Sequence, residues 1–265
     1  MSVHPQSLFL ALAGLHMTDD PTPLSGTSIV FVMGELGVGE AAARSVLQRN
    51  AAKGFIVRRK DGRKTFYTVS EPAREILLGG GRKMFVGERP RDWDGRWTLV
   101  RIQVPESKRA LRHRLSSRLS WAGFGRIDGG TWVAPAKVDV EDILGEEACE
   151  VAPVVVYGEL QPPTTDAMLV DAFDLDELAV AYEAFGKKWR ACAVSGLSPT
   201  EALVRRVELH FDWLTLTRTD PQLPPELLPD DWPGFAQWQL FRELNERLGE
   251  IEEPALDRFF AGGLV

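Results

Sequence analysis

The chain has 265 residues, of which 44% are hydrophobic and 26% charged, with two cysteines and a formal net charge of −7. At about 100 to 200 residues per domain this length predicts more than one domain, and the composition excludes collagen-like, disulfide-scaffold and wholly disordered classes. The apolar runs, such as Leu8 to Leu15, fall far short of the about 20 residues of a membrane span, the start lacks the pattern of a secretory signal, and Cys149 and Cys192 supply neither a disulfide framework nor a zinc cluster. The expected compartment is therefore cytoplasmic, with both thiols as small core residues.

The charge is unevenly spread. Residues 1–91 carry 13 Lys and Arg against 8 Asp and Glu, residues 92–160 carry 9 against 11, and residues 161–265 carry 9 against 19. Between Arg44 and Lys64 eight basic residues accompany one acid, Asp61. A basic N-terminal part on an acidic remainder points to one module for a polyanion and another for something else.

Ser7 to Leu15 and Ser25 to Met33 read as two buried helices, and Leu36-Gly37-Val38-Gly39 as a turn. Glu40 to Lys53 reads as a third helix, with Ala43, Val46, Leu47 and Asn50 on one face and Ala41, Arg44, Ser45 and Gln48 on the other, stopped by Gly54. Phe55 to Arg59 and Thr65 to Val69 are strand-like and joined through Asp61-Gly62, a hairpin signal. Helix, helix, turn, cationic helix and basic hairpin predict a winged helix-turn-helix over residues 1–70. Arg44, Arg49 and Lys53 alone would read as a solvated surface. Arg58, Arg59, Lys60, Arg63 and Lys64, five cations in seven residues, change that reading: solvation favours mixed signs, whereas a phosphate backbone favours one. The expected DNA contacts are Ala41, Arg44, Ser45, Gln48 and Arg49 on the recognition helix and those five wing cations.

Residues 71–91 predict a helical connector, broken at a Gly79-Gly80-Gly81 hinge. Over residues 92–162 strands and helices follow the order β-α-β-β-α-β: strands at Trp97–Val104, Phe124–Ile127, Thr131–Val133 and Val154–Leu160, helices at Ser107–Leu119 and Val138–Leu144. That order predicts a ferredoxin-like domain. Trp97, Trp121 and Trp132 are expected in its core. Residues 163–265, beyond Pro162-Pro163, predict a helical domain with helices at Leu175–Arg190, Thr200–Thr217 and Phe235–Leu248 and a tail at Pro254–Phe260. Five prolines between Pro221 and Pro233 predict an irregular crossover. The fold class is α+β.

Enzymatic chemistry finds little to use. His4, His16, His113 and His210 lack metal-ligand spacing, and the triple glycine lacks the ending of a phosphate loop.

Four separated motifs carry a family resemblance. They are Asp61-Gly62-Arg63-Lys64-Thr65-Phe66-Tyr67, Trp93-Asp94-Gly95-Arg96-Trp97-Thr98, Trp121-Ala122-Gly123-Phe124-Gly125, and Asp220-Pro221-Gln222-Leu223-Pro224 followed by Leu227-Leu228-Pro229-Asp230-Asp231-Trp232-Pro233-Gly234. Over roughly residues 5 to 260 the sequence resembles the PaaX family, repressors of phenylacetate-degradation operons. The resemblance implies a homodimeric winged-helix repressor that binds double-stranded operator DNA, has a Cas2-like central domain and a helical C-terminal domain, and is neither an enzyme nor bound to a membrane. No cofactor is implied. The implied effector is phenylacetyl-coenzyme A, or another acyl-coenzyme A in branches governing other aromatic or acyl catabolism. Stacking faces and cations for such a ligand are expected at Arg218, Trp213, His210, Trp232 and Trp189, with Arg218 preferred. Two rival readings are a degenerate Cas2-like metal-dependent nuclease and a winged-helix protein-interaction module. The first is disfavoured because the first central strand ends Gln103-Val104-Pro105, with Asp92 and Asp94 placed before it.

Overall fold

The computed structural model describes residues 4–18, 23–84, 93–161, 166–192 and 194–263. The chain divides into two compact units: Met1–Phe85, Phe185–Thr217 and Ala236–Val265 form the first, Val86–Ala184 and Arg218–Phe235 the second. The last residues of the expected connector, Asp92 and the Pro162-Pro163 junction lie outside the described residues.

The first unit opens with helix α1 (Pro5–His16), the short strand β1 (Leu24–Ser25), α2 (Gly26–Glu35) and α3 (Glu40–Ala52). Gly37, at φ +84°, supplies the left-handed residue that lets the chain turn between α2 and α3. Then come β2 (Ile56–Asp61), β3 (Lys64–Val69) and α4 (Glu71–Met84). The sheet order is β1-β3-β2, antiparallel, and the hairpin pairs from Ile56–Val69 out to Asp61–Lys64. The strands thus reach further than their apolar residues predict, and the loop shrinks to Gly62-Arg63. Gly62 takes φ +57° at the first central position, which a type II′ turn reserves for glycine. This is a winged helix-turn-helix. Helix α4 is continuous across Gly79-Gly80-Gly81, contrary to the expected break. Glycine costs a helix about 1 kcal/mol relative to alanine but removes no backbone hydrogen-bonding group, and the helix is anchored upstream by buried Ala73 and by Arg74, whose Nε donates to the Thr18 carbonyl at 2.6 Å.

The second unit carries β4 (Trp97–Arg101), α5 (Arg109–Trp121), β5 (Gly125–Arg126), β6 (Thr131–Ala134), α6 (Val140–Leu144), α7 (Ala148–Val151) and β7 (Val154–Gly158). Its antiparallel sheet runs β5-β6-β4-β7, so the first strand lies between the third and the fourth, the ferredoxin-like arrangement. Leu111, Leu115 and Leu119, one helical turn apart, pack with Val100, Ile102 and Trp132. Trp97 and Trp132 are buried as expected, but Trp121 is 50% exposed at the end of α5, beyond the Leu111–Leu119 stripe. Helices α8 (Asp166–Ala172) and α9 (Leu175–Arg190) follow, and the division between units falls within α9.

Two of the quoted motifs meet in the second unit. A Cβ on Gly123 would stand 3.2 Å from the Pro221 carbonyl oxygen, and one on Gly125 would stand 2.7 Å from the Phe173 ring, so both positions exclude a side chain. Tyr182 donates its hydroxyl to Asp220, whose other oxygen accepts from the Gln222 amide at 2.6 Å. The proline segment is therefore an ordered strap, with one 3₁₀ turn at Pro225–Leu227.

Helices α10 (Pro199–Thr217) and α11 (Pro233–Ala261) complete the chain. The predicted break before Pro254 does not occur; α11 runs through it. An internal proline costs about 3 kcal/mol, but Leu248, Glu252, Ala255 and Phe259 form one buried stripe across the site while Pro254 faces solvent. The core of the winged head includes Leu203 and Val207 of α10 and Phe259 of α11 together with Leu8, Phe9, Ile29 and Val46. The head is thus not closed by its own first 70 residues. The thiols are not core residues either: Cys149 is exposed and Cys192 half-buried.

Candidate nucleic-acid interface

The pattern of α3 explains its orientation. Ala43, Val46, Leu47 and Asn50 are buried, and the Asn50 amide exchanges hydrogen bonds with Gln6 at 3.0 and 3.1 Å and donates to the Val46 carbonyl. Ala41, Arg44, Gln48 and Arg49 consequently face solvent, with Ser45 half-buried. The hairpin follows directly and stands beside this face. Between them lies a groove of about 370 Å³ lined by Arg44 and Gln48 from α3, Arg58, Arg63 and Lys64 from the wing, and the start of α2 at Gly26 and Thr27. No carboxylate is among its lining residues.

Five of the ten expected DNA residues, Arg44, Gln48, Arg58, Arg63 and Lys64, thus converge on one groove. Ala41, Ser45 and Arg49 stay on α3 outside its lining, where Arg49 donates to the Ser45 hydroxyl at 2.6 Å. Arg59 and Lys60 are exposed on β2, also outside it. Arg44 makes an i,i+4 ion pair with Glu40 at 2.7 Å, with the two side chains 58% and 66% exposed. A pair so exposed is worth about 0.2 to 1 kcal/mol and yields readily to a phosphate or a base edge. Lys64 is engaged differently, donating from Nζ to the Ala261 carbonyl at the end of α11 at 2.8 Å.

Sequence reasoning missed Gly26, Thr27, Thr65 and Tyr67 in this lining. A Cβ on Gly26 would stand 2.9 Å from the Tyr67 ring and 3.2 Å from the Thr65 carbonyl, so glycine lets the α2 N-terminus approach the wing. That terminus offers unpaired amides and the positive end of the helix dipole, which suit a phosphate. The readable signal was Ser25-Gly26-Thr27 at a helix start.

The five expected effector residues fall into both units. In the first, Trp213 is 0% and Trp189 1% exposed. Trp213 stacks on Phe241 and Trp238 with centroids 4.8 and 5.8 Å apart, and His210 meets Phe241 at 5.2 Å. Trp189 donates its indole N–H to Asp212 at 2.9 Å. In the second unit Trp232 is buried against Tyr182, while Arg218 is exposed.

Beside this cluster in the first unit lies a partly buried polar network. Arg206 pairs with Glu252 and donates to Asn245 Oδ1 at 2.8 Å, and the same oxygen lies 2.7 Å from His210 Nε2. Burial pushes Glu252 up to about 7. Burial likewise takes His210 down to about 4 and His16 down to about 3, with the Arg206 charge acting in the same direction on both.

Comparison with known proteins covers most of the chain. Residues 4–73 match the family described as PaaX-like protein, residues 90–170 the PaaX protein central Cas2-like domain, and residues 173–259 the PaaX-like protein C-terminal domain. The chain belongs to the PaaX family. Over 236 residues it is 28% identical to the Transcriptional repressor PaaX of Escherichia coli (strain K12), covering 83% of this chain and 73% of that protein. The solved structure of Uncharacterized protein Rv0674 from Mycobacterium tuberculosis shares the fold, with a TM-score of 0.63 at 20% identity over 93% of this chain and 96% of the other. In this PaaX-family chain Asp94 accepts from the Tyr157 hydroxyl at 2.7 Å and the Arg96 amide at 3.0 Å, bonds that hold its carboxyl below the usual range. Among the described residues no three His, Cys, Asp or Glu side chains gather as a metal-binding group.

Proposed function

We propose that the chain is a DNA-binding transcriptional repressor of a catabolic operon, acting on phenylacetate or a related aromatic or acyl substrate, and released from DNA by an acyl-coenzyme A. The observation that carries this reading is the groove that sets Arg44 and Gln48 of α3 beside Arg58, Arg63 and Lys64 of the wing. Side chains of α3 reach base edges in a major groove while the wing and the α2 N-terminus hold phosphates on either side. Membership of the PaaX family, and a relative named as a transcriptional repressor, support the assignment. A homodimer would present two such heads to half-sites about 34 to 36 Å apart.

The test is retention of a duplex carrying the promoter region upstream of the chain's own gene, against a scrambled duplex, over a range of salt. Log affinity should fall steeply with log salt on both, with the promoter duplex bound more tightly. Replacing Arg63 and Lys64 together by Ala should flatten the slope by about one to two, since each phosphate contact releases counterions. Absence of salt-sensitive binding to either duplex would replace this reading with that of a protein-interaction module.

A further inference from the structure

The central domain holds a second groove, which DNA binding by the winged head leaves without a role. It has a volume of about 620 Å³ and lies where β4 ends, between Arg101 and Pro105 on one side and the turn Asp128-Gly129-Gly130 on another. Its accessible apolar surface comes from Val104 and Pro105, Ile102 and Trp132 of its lining being buried in the core, and its cations are Arg101, exposed at the strand end, and Arg112 from α5. Ser116, four residues after Arg112 and so on the same helix face, adds a hydroxyl.

The local bonding sets what this groove can recognise. Arg112 donates through Nη2 to the Val104 carbonyl at 3.0 Å, which fixes the guanidinium on the groove wall. Asp128, the one carboxylate in the lining, is committed to its own turn: one oxygen accepts from the Gly130 and Thr131 amides at 2.8 and 2.9 Å, the other from the Thr131 hydroxyl at 3.1 Å. Gly130 can carry no side chain, because a Cβ would stand 2.6 Å from the Ile102 carbonyl. That close approach, with the Ile102 amide donating to the Gly130 carbonyl at 2.8 Å, sets the turn beside the strand end. The result is a cleft of small-molecule size with two guanidiniums and an apolar edge at Val104 and Pro105, the chemistry that takes an oxyanion joined to an apolar group. The aromatic cluster of the first unit offers rings but is closed, with Trp213 and Trp189 at 0% and 1% exposure.

We propose that this groove is the effector site, with a phosphate of a phosphorylated acyl carrier on Arg101 and Arg112 and the acyl group against Val104 and Pro105. The inference rests on the reading of the chain as an effector-released repressor and adds the place of binding. Phenylacetyl-coenzyme A, coenzyme A and phenylacetate would each be titrated calorimetrically into the full chain and into Arg101→Ala, Ser116→Trp and, as a control cation on the same helix outside the groove, Arg109→Ala. Phenylacetyl-coenzyme A should bind the parent and Arg109→Ala alike and should bind Arg101→Ala and Ser116→Trp at least tenfold more weakly. The filling variant Ser116→Trp keeps both cations, so its loss would separate groove occupancy from net charge. Equal sensitivity of coenzyme A alone would support the site and assign the recognised anion to the carrier. Parental affinity in both groove variants overturns the site. Failure of all three compounds to bind the parent overturns the reading of a phenylacetyl-type effector, and the site with it.

Discussion

The α3–wing groove and the aromatic cluster of α9, α10 and α11 draw on the same kinds of residue, long cations beside rings, and differ in burial. In the groove the cations stand in water, set close together by the hairpin, with Tyr67 as the ring beneath them. Their mutual repulsion is softened by solvent and is relieved by a polyanion. In the cluster the rings of Phe185, Trp213, Trp238 and Phe241 are packed on one another. The adjoining Arg206, half-buried, is held by buried Glu252 and by Asn245. Salt should therefore govern the first region and pH the second. The same residue types serve a ligand in one place and the fold in the other.

The largest effect should come from breaking the buried side of this contrast. Trp213→Ala would remove a fully enclosed ring that stacks on two others, and loss of a large core aromatic costs about 3 to 5 kcal/mol. Denaturant unfolding should show this as a lower midpoint, with DNA affinity per folded molecule unchanged. A loss below about 1 kcal/mol would mean that the ring can be spared, and would reopen the cluster as a cavity for a ligand.

The next effect is a pH dependence confined to the partly buried network. Glu252 is raised from 4.5 to about 7, so the stability it contributes in protonated form is present below pH 4.5 and lost as pH rises through 7. His16 and His210 are lowered from 6.5 to about 3 and about 4, so the folded state loses stability as pH falls below 6.5 toward those values. The two trends oppose each other between pH 4.5 and 6.5, and only the Glu252 trend remains on the alkaline side. Glu252→Gln removes it while keeping an oxygen for Arg206. Thermal melts should then show the parent losing stability relative to the variant as pH rises from 4.5 to about 7, by up to on the order of 3 kcal/mol at 1.4 kcal/mol per pK unit, the histidine trend being common to both. Equal losses would show that Glu252 is ionised throughout this range.

A smaller effect, and a sharper one for function, belongs to Arg44. Its exposed pairing with Glu40 is easily exchanged, and its length suits a guanine edge. Arg44→Ala should cost about 1 to 3 kcal/mol on the promoter duplex and less on a scrambled one. Equal losses on both would make Arg44 a phosphate contact.

How much of this was legible in the sequence follows from how local each signal is. The face of α3 and the hairpin could be read because Ala43, Val46, Leu47 and Asn50 repeat at helical spacing and Asp61-Gly62 marks a turn within a few residues. The ferredoxin-like order could be read for the same reason. The participation of Leu203, Val207 and Phe259 in the head core could not, because no local pattern names a partner almost two hundred residues away. Pro254 misled because a proline reports on its own missing amide and not on the buried stripe around it. Gly26 escaped notice because its value lies in what Tyr67 and Thr65 would meet, a contact made only once the wing folds back on α2.

The smallest expected effect separates two neighbouring cations that the sequence presents as equivalent. Arg63 is the second residue of the hairpin loop, while Lys64 begins β3 and donates to the Ala261 carbonyl at the end of α11. A cation at a helix C-terminus interacts favourably with the dipole, by about 0.3 to 1 kcal/mol. Lys64 must therefore give up or share that interaction before it serves a phosphate. Arg63→Ala should flatten the salt slope of DNA binding by about one unit and leave unfolding unchanged. Lys64→Met should flatten the slope by less than one unit and lower stability by about 0.3 to 1 kcal/mol. Salt titrations of both variants beside denaturant melts distinguish the cases. Should Lys64→Met match Arg63→Ala in slope and keep parental stability, the bond to Ala261 contributes nothing in solution, and both wing cations belong wholly to the DNA side of the contrast.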